Sequence, residues 1–303
     1  MRVAFLGTPE FALPALQAVH AHHEVALVMT APPKPRGRGH HEQVTPLHAA
    51  ALELSLPVGT PSRLDAAAVE RIAQARPDAV CVVAYGKILP ESLFSRFPCL
   101  NVHPSLLPRH RGAAPVPWTI WSGDQTAGVT IMRIVRDLDA GPIFLQEDFA
   151  LTGEETAGEL LETTSRRGAD LLVTALDALA RSDLQERPQE GEPTYARMLR
   201  REDERLDFDL SATLLARQVR ALSPRPGVRV TSEERGLELR LLRARPGEGR
   251  APLGELRAAG DHLAIGCGEG VLLVSELQPA GGRPQRAAEF LRGRPYAVGL
   301  RVR

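Results

Sequence analysis

A run of small and β-branched apolar residues at 78–84, with the sequence DAVCVVA, constrains the fold more than any other stretch. Its composition is typical of a strand covered on both faces, as in parallel sheets flanked by helices. The surrounding chain supplies both kinds of neighbour. Strand-like runs at 2–7, 24–30, 100–103 and 128–134 alternate with helical spacing at 11–19, 45–54 and 65–75. The front half is therefore predicted to form an α/β, Rossmann-like, doubly wound parallel sheet.

The pattern changes after one long helical stretch at 154–181. Residues 182–193 are polar and punctuated by Pro and Gly, which is typical of a linker. A short helix is predicted at 212–221, and β-like runs follow at 228–230, 237–242, 262–265 and 271–277. Closely spaced short strands are typical of small barrels, many of which bind nucleic acids. We predict a domain at 1–182, a linker at 183–203 and a small OB-like β-barrel domain at 204–303.

The net charge of the 303 residues is zero, but it is unevenly distributed. Residues 201–303 carry 18 Arg and 14 acidic side chains, and from residue 210 onward the excess rises to +7. A basic rear module is consistent with a polyanionic partner. The alternative is an Arg-rich surface without a specific partner, since Lys34 and Lys87 are the only lysines.

The cysteines and the apolar segments indicate the compartment. Cys81, Cys99 and Cys267 have no paired spacing, which fits neither a disulfide framework nor a zinc site and indicates a reducing environment. No apolar run approaches the length of a membrane span, and the N-terminus enters a strand without a signal-like segment. We expect a cytoplasmic protein with no membrane association and no bound metal.

The string NVHPSLLPRHRG at 101–112 holds the leading catalytic candidates. Asn101 and His103 project to the same side of an extended strand, because side chains alternate along it. An amide donor beside a titratable nitrogen can hold a carbonyl and move a proton. The string DLDAG at 137–141 offers a carboxylate for the histidine, and spacing alone leaves both Asp137 and Asp139 open.

Two other segments are candidates for ligand binding. The first strand-to-helix turn, at 7–11, lacks the G-x-G-x-x-G pattern, and Pro9 removes a backbone donor, so NAD binding is disfavoured. Residues 32–41 contain three Pro and two Gly, which predicts an irregular loop. Its Lys34, Arg36 and Arg38 fit either a solvated surface loop or an arm that contacts phosphate, and its position near the functional edge of the sheet favours the arm.

Several blocks together resemble the folate-dependent formyltransferases. The blocks are NVHPSLLP at 101–108, RGAAP at 111–115, AYGKILP at 84–90, GVTIM at 128–132 and LDAG at 138–141. The resemblance is greatest to the members that formylate methionyl initiator tRNA, because it extends to FLGTPEF at 5–11, GRG at 37–39 and RALSPRPG at 220–227. The chain departs from the family pattern at Pro33, His40, His41 and Phe208, and by Val116-Pro117 after the Ala-Ala-Pro motif.

The resemblance implies transfer of a formyl group from 10-formyltetrahydrofolate to the α-amine of methionyl initiator tRNA, by a monomer. It implies that Asn101 donates to the oxyanion, His103 takes the amine proton and Asp139 orients His103. The implied folate-binding residues are Tyr85, Gly86, Ile88, Leu89, Ser105, Leu106, Leu107 and Pro108, and the implied tRNA contacts are Lys34, Arg36 and Arg38.

The alternatives are less well matched to the sequence. Sugar-nucleotide N-formyltransferases have less use for a basic loop and a basic rear module, and glycinamide ribonucleotide formyltransferase resembles the front half only. A nucleotide-dependent oxidoreductase is disfavoured by the missing Gly-rich fingerprint. A catalytically silent tRNA-binding protein would not require Asn101, His103 and Asp139 together.

Overall fold

The computed structural model describes residues 1–36 and 41–303, which divide into two compact units. Unit 1 comprises Met1–Gly112, Gly128–Phe149 and Leu161–Tyr195, and unit 2 comprises Ala113–Ala127, Ala150–Leu160 and Ala196–Arg303. The division follows packing, whereas the predicted domain boundaries follow chain order. Residues 183–195 of the predicted linker lie in unit 1, where they hydrogen-bond to other segments.

The first two-thirds of the chain alternate strands and helices, as the sequence predicts. The strands are β1 (Arg2–Gly7), β2 (Glu24–Met29), β3 (Lys34–Arg36), β4 (His41–Gln43), β5 (Val58–Gly59), β6 (Ala79–Val83), β7 (Cys99–His103), β8 (Arg111–Gly112), β9 (Thr126–Arg133) and β10 (Ile143–Ala150). The helices are α1 (Leu13–His22), α2 (Pro46–Glu53), α3 (Ala66–Gln74), α4 (Glu91–Phe94), α5 (Pro115–Ser122) and α6 (Ala157–Ala180). None of the helices in the described ranges is long and apolar enough to cross a membrane.

The main sheet of unit 1 has the order β10-β9-β7-β6-β1-β2-β5. Strands β5, β2, β1, β6 and β7 are parallel, which confirms the predicted Rossmann-like sheet. Strand β9 runs antiparallel to β7, so the predicted parallel arrangement does not extend to this edge of the sheet. The physical reason is that β9 begins at the end of the sheet where β7 finishes, so the connection at 104–125 does not have to carry the chain back to the other end.

Two apolar layers cover the two faces of this sheet. Phe5 of β1 packs with Leu16 of α1 and Leu172 of α6, while the next residue, Leu6, packs with Ile72 of α3 on the opposite face. All five residues of β6 are buried, as the DAVCVVA run requires. The central strands β6 and β7 are thereby fixed from both sides, and their carboxyl ends form a rigid edge.

The predicted irregular loop at 32–41 contains regular structure at its two ends. Strands β3 and β4 pair antiparallel, with Lys34 opposite Gln43 and Arg36 opposite His41. The prediction of no regular structure is therefore wrong for residues 34–36 and for residue 41. Proline has no backbone N–H to donate. It is tolerated at position 35 because each strand of a two-stranded ribbon hydrogen-bonds along only one of its edges.

Unit 2 is built around an antiparallel sheet of order β12-β13-β16-β15-β14. The elements after α6 are β11 (Tyr195–Ala196), α7 (Ala212–Leu222), β12 (Val228–Ser232), β13 (Leu237–Gly247), β14 (Leu256–Ala259), β15 (His262–Gly266), β16 (Val271–Pro279), β17 (Gln285–Arg286) and α8 (Ala287–Gly293). Helix α7 contributes Leu215 and Val219 to the core between the strands. The last residues bridge both edge strands, since Arg303 exchanges two backbone hydrogen bonds with Thr231, and Leu256 donates to Leu300. The predicted barrel-like module is confirmed.

Candidate active site

The carboxyl end of β7 carries the Asn101 and His103 side chains. Leu100 and Val102 point into the apolar layer under the sheet, so alternation directs Asn101 and His103 to the other face. Asn101 is half-buried, and its amide makes no hydrogen bond with any other described residue. His103 is 4% exposed. The strand thus presents an unpaired amide and a buried imidazole on one face.

A polar network fixes the turn that follows His103. The Thr130 hydroxyl donates to the Ser105 carbonyl at 2.7 Å and accepts from the Leu107 N–H at 3.3 Å. Gln146 donates both to Thr130 Oγ1, at 2.9 Å, and to the Leu107 carbonyl, at 3.1 Å. Because Thr130 lies opposite His103 in the β7–β9 pair, the network connects the turn to the strand that bears the histidine.

The His103 ring lies between a backbone carbonyl and the Asp139 carboxylate. Its Nε2 is 2.9 Å from the His110 carbonyl oxygen, which can only accept, so Nε2 carries the hydrogen. The neutral ring therefore has its lone pair on Nδ1, which is 3.8 Å from Asp139 Oδ2. The same carboxylate oxygen accepts a 2.8 Å hydrogen bond from the Gly112 N–H. Asp137 is exposed, so the geometry brings Asp139 to the histidine.

The environment of His103 favours its neutral form at rest. Burial lowers the pKa of the imidazole, and the nearby Asp139 carboxylate opposes that effect by raising it. Protonation of Nδ1 would give each ring N–H an acceptor, the His110 carbonyl on one side and Asp139 on the other. The site is thus arranged to accept one proton and to stabilise the resulting charge.

Three residues near the site have backbone φ angles in the left-handed region. Ala84, His110 and Asp139 have φ of 48°, 58° and 50°, a conformation that costs a residue with a Cβ about 1 kcal/mol or more. The Asp139 turn also needs Gly141, because a Cβ there would lie 1.9 Å from the Arg133 carbonyl oxygen. These backbone conformations persist because the surrounding hydrogen bonds hold them.

Three groups around His103 were not predicted from the sequence. They are the His110 carbonyl, the Gly112 N–H and the Gln189 side chain, which donates to the carbonyls of Asp139 and Gly141. The Arg-Gly pair at 111–112 is a weak signal for a backbone donor. The residues around Gln189 do not indicate a role in the site, because they form a polar stretch that is typical of a linker.

The residues predicted to bind folate lie on two neighbouring segments. Gly86 has φ 71° and open space beside it, and Ile88 is 93% exposed, which is unusual for a large apolar side chain. Tyr85 is 4% exposed, and its hydroxyl has no hydrogen-bond partner within the described part of the chain. On the second segment, Ser105 and Leu107 are buried, while Leu106, Leu89 and Pro108 are partly exposed. The exposed Ile88 side chain is compatible with a partly apolar ligand.

The structure describes the three residues predicted to contact tRNA to different extents. Lys34 is exposed on β3 and lies close enough to Lys87 to lower the pKa of that amine, after the larger effect of burial. Arg36 contributes its backbone to β3, and Arg38 lies outside the described residues. The described ranges contain no group of three or more His, Cys, Asp or Glu side chains arranged to hold a metal ion.

Family comparisons cover almost the entire chain. The family described as formyl transferase matches residues 1–176, and the family described as formyl transferase, C-terminal domain, matches residues 198–295. The two matches are separated by the stretch that contains Gln189. Together with the fold, they define the class of protein, a formyltransferase with an additional C-terminal domain.

Relatives of known name narrow the class. The methionyl-tRNA formyltransferase of Heliobacterium modesticaldum is 40% identical over 316 residues, covering 99% of each chain. That of Ruegeria pomeroyi is 42% identical over 306 residues, covering 100% of each chain. The chain belongs to the methionyl-tRNA formyltransferase family.

Solved structures show the same fold at lower identity. HypX from Aquifex aeolicus in complex with tetrahydrofolic acid is 20% identical, with a TM-score of 0.66 over 98% of this chain, which spans only 48% of HypX. The methionyl-tRNA formyltransferase from Clostridium thermocellum is 16% identical, with a TM-score of 0.56 over 81% of this chain and 93% of that one.

Proposed function

We infer that this chain transfers the formyl group of 10-formyltetrahydrofolate to the α-amino group of methionyl initiator tRNA, and we propose the roles of its residues as follows. The amine attacks the formyl carbonyl, giving a tetrahedral species whose oxygen carries negative charge. Asn101, whose amide has no protein partner among the described residues, donates a hydrogen bond to that oxygen. His103 accepts the proton that the amine loses. Collapse of the tetrahedral species then breaks the bond between the formyl carbon and N10 of the folate, and His103 returns its proton to N10, so that tetrahydrofolate leaves with a neutral nitrogen.

The observation that carries this proposal is the orientation of His103. Its Nε2–H is held by the His110 carbonyl, so Nδ1 is the base, and the Asp139 carboxylate lies 3.8 Å from it. That distance exceeds a hydrogen bond, so the carboxylate acts on the resting ring through its charge. Once Nδ1 is protonated, the attraction favours a closer approach, and the proton is held between the two groups.

Substrate binding is assigned to the exposed features near the strand ends. Ile88 and the partly exposed Leu89 and Leu106 offer apolar contact to the folate, while Tyr85 packs in the apolar layer below this segment. The tRNA is assigned to Lys34, Arg36 and Arg38 and to the Arg-rich residues after 210. The predicted monomeric state and cytoplasmic location remain predictions.

The test is an assay with charged initiator tRNA and 10-formyltetrahydrofolate, followed by detection of N-formylmethionyl-tRNA. Uncharged tRNA should give no product. Asn101→Ala should lower kcat about a hundredfold, the usual effect of removing one oxyanion donor, while the folded state is unchanged by circular dichroism. Near-native turnover by this variant would remove Asn101 from the mechanism, and absence of product from the unaltered chain would refute the function.

A further inference from the structure

The Gln189 carboxamide uses its full hydrogen-bonding capacity within unit 1. Its Nε2 donates to the carbonyl oxygens of Asp139 and Gly141, each at 2.8 Å. Its Oε1 accepts from Nε and Nη2 of Arg111, at 3.0 and 2.6 Å. The amide orientation is unambiguous, because carbonyls only accept and a guanidinium only donates.

These contacts close a ring of hydrogen bonds that includes the carboxylate at His103. Arg111 precedes Gly112, whose N–H holds Asp139 Oδ2, and the backbone carbonyl of Asp139 returns to Gln189. Asp139 sits in the left-handed region at φ 50°, a conformation that its neighbours must maintain. Gln189 draws together the carbonyls on either side of Ala140 and thereby holds this turn closed.

The surrounding segment does not depend on the Gln189 side chain for its docking. Before it, Arg187 and Ile143 exchange two backbone hydrogen bonds, at 2.8 and 2.9 Å. After it, Thr194 accepts from the backbone N–H groups of His110 and Arg111, at 2.8 Å each. Replacing the Gln189 side chain should therefore leave the segment in place and loosen only the Asp139 turn.

We propose that Gln189 is a positioning residue for formyl transfer, which keeps the Asp139 carboxylate at His103 by fixing the 137–141 turn. The proposal rests on the roles proposed for Asp139 and His103. It assigns a function in the reaction to a stretch that lies between the two family matches and has no catalytic signal in its sequence.

Two variants separate the contacts of Gln189. Gln189→Met keeps the length of the side chain and removes all four hydrogen bonds. Gln189→Glu keeps an acceptor for Arg111 but places a carboxylate against two carbonyl oxygens. Both variants should lower kcat about ten- to hundredfold, as expected when a catalytic group is displaced by a fraction of an ångström to 1 Å. The KM for each substrate should stay within about twofold of that of the unaltered chain. Gln185→Met is the matched control, because Gln185 is exposed in the same segment and makes no side-chain hydrogen bond there.

The pH profile distinguishes positioning from a general structural defect. Asp139 raises the pKa of His103, so a displaced carboxylate should let that pKa fall further, and the acid limb of kcat should move to lower pH. A structural defect would lower the active fraction equally at every pH and leave the limb in place. If Gln189→Met does not fold, Gln189→Glu, which keeps its contact with Arg111, is tested in its place.

A double-mutant cycle with Asp139→Asn completes the test. If Gln189 acts through Asp139, adding Gln189→Met to Asp139→Asn should lower kcat by less than about twofold further. Full additivity, or an unshifted acid limb, would overturn the positioning role. If Asp139→Asn lowers kcat while Gln189→Met has a native kcat, the positioning role of Gln189 is also overturned, but the proposed function is not affected. Native-like kcat for Asp139→Asn alone would instead refute the proposed role of Asp139.

Discussion

Replacing Thr130 by Val should destabilise the turn that follows β7, the strand that carries Asn101 and His103. The change is nearly isosteric, and Thr130 is fully buried at 0% exposure, so it removes polar contacts without creating a cavity. The Ser105 carbonyl loses its 2.7 Å donor and the Leu107 N–H loses its 3.3 Å acceptor, and both residues are buried. Gln146 is half-buried and keeps its bond to the Leu107 carbonyl, so it adds little to the cost.

The expected size follows from the two groups left unpaired. A buried donor or acceptor without a partner costs about 1–3 kcal/mol, and the long Leu107 contact belongs at the lower end of that range. Thr130→Val should therefore lower the free energy of unfolding by about 2–4 kcal/mol, measured in urea at an unchanged m value.

The matched control is Thr174→Val on α6. The Thr174 hydroxyl donates to the Asp170 carbonyl one turn earlier, and the residue is exposed, so the free energy of unfolding should change by less than about 0.5 kcal/mol. If Thr130→Val also falls within about 0.5 kcal/mol of the unaltered chain, the turn is not held by this hydroxyl, and the reasoning is refuted.

Three further predictions concern the site and the substrates. Gly141→Ala should lower the free energy of unfolding by about 2 kcal/mol and abolish most activity, because the Cβ of the alanine would lie 1.9 Å from the Arg133 carbonyl oxygen. Native values in urea unfolding and turnover assays would contradict this prediction. Burial lowers the pKa of both His103 and His23 below 6.5, so near that pH the unfolded chain binds more protons than the folded chain. The free energy of unfolding should therefore rise as pH increases through that region. A His23→Gln variant with an unchanged pH–stability curve would count against the His23 contribution. If the tRNA neutralises at least two cationic side chains, its Kd should rise about tenfold or more between 50 and 200 mM salt, and a flat filter-binding titration would argue against phosphate contacts.

Local periodicity determined the fold class and the face on which two of the proposed catalytic residues lie. The uninterrupted apolar run at 78–84 specified a strand buried on both faces, and β6 is buried throughout. Alternation along 100–103 placed Asn101 and His103 on one face, and β7 presents them so. These conclusions needed only neighbours in the chain, because strand period and burial are properties of a few consecutive residues.

The tertiary structure decided which distant groups meet at His103. Residue spacing left Asp137 and Asp139 open, family resemblance implied Asp139, and the folded chain brings Asp139 Oδ2 to 3.8 Å from the ring while Asp137 stays exposed. The antiparallel course of β9 and the reach of Gln189 across 50 residues to Asp139 also depend on the folded chain. Contacts between residues so far apart leave no period in the sequence, because they arise from the packing of whole elements rather than from the pattern within any one of them.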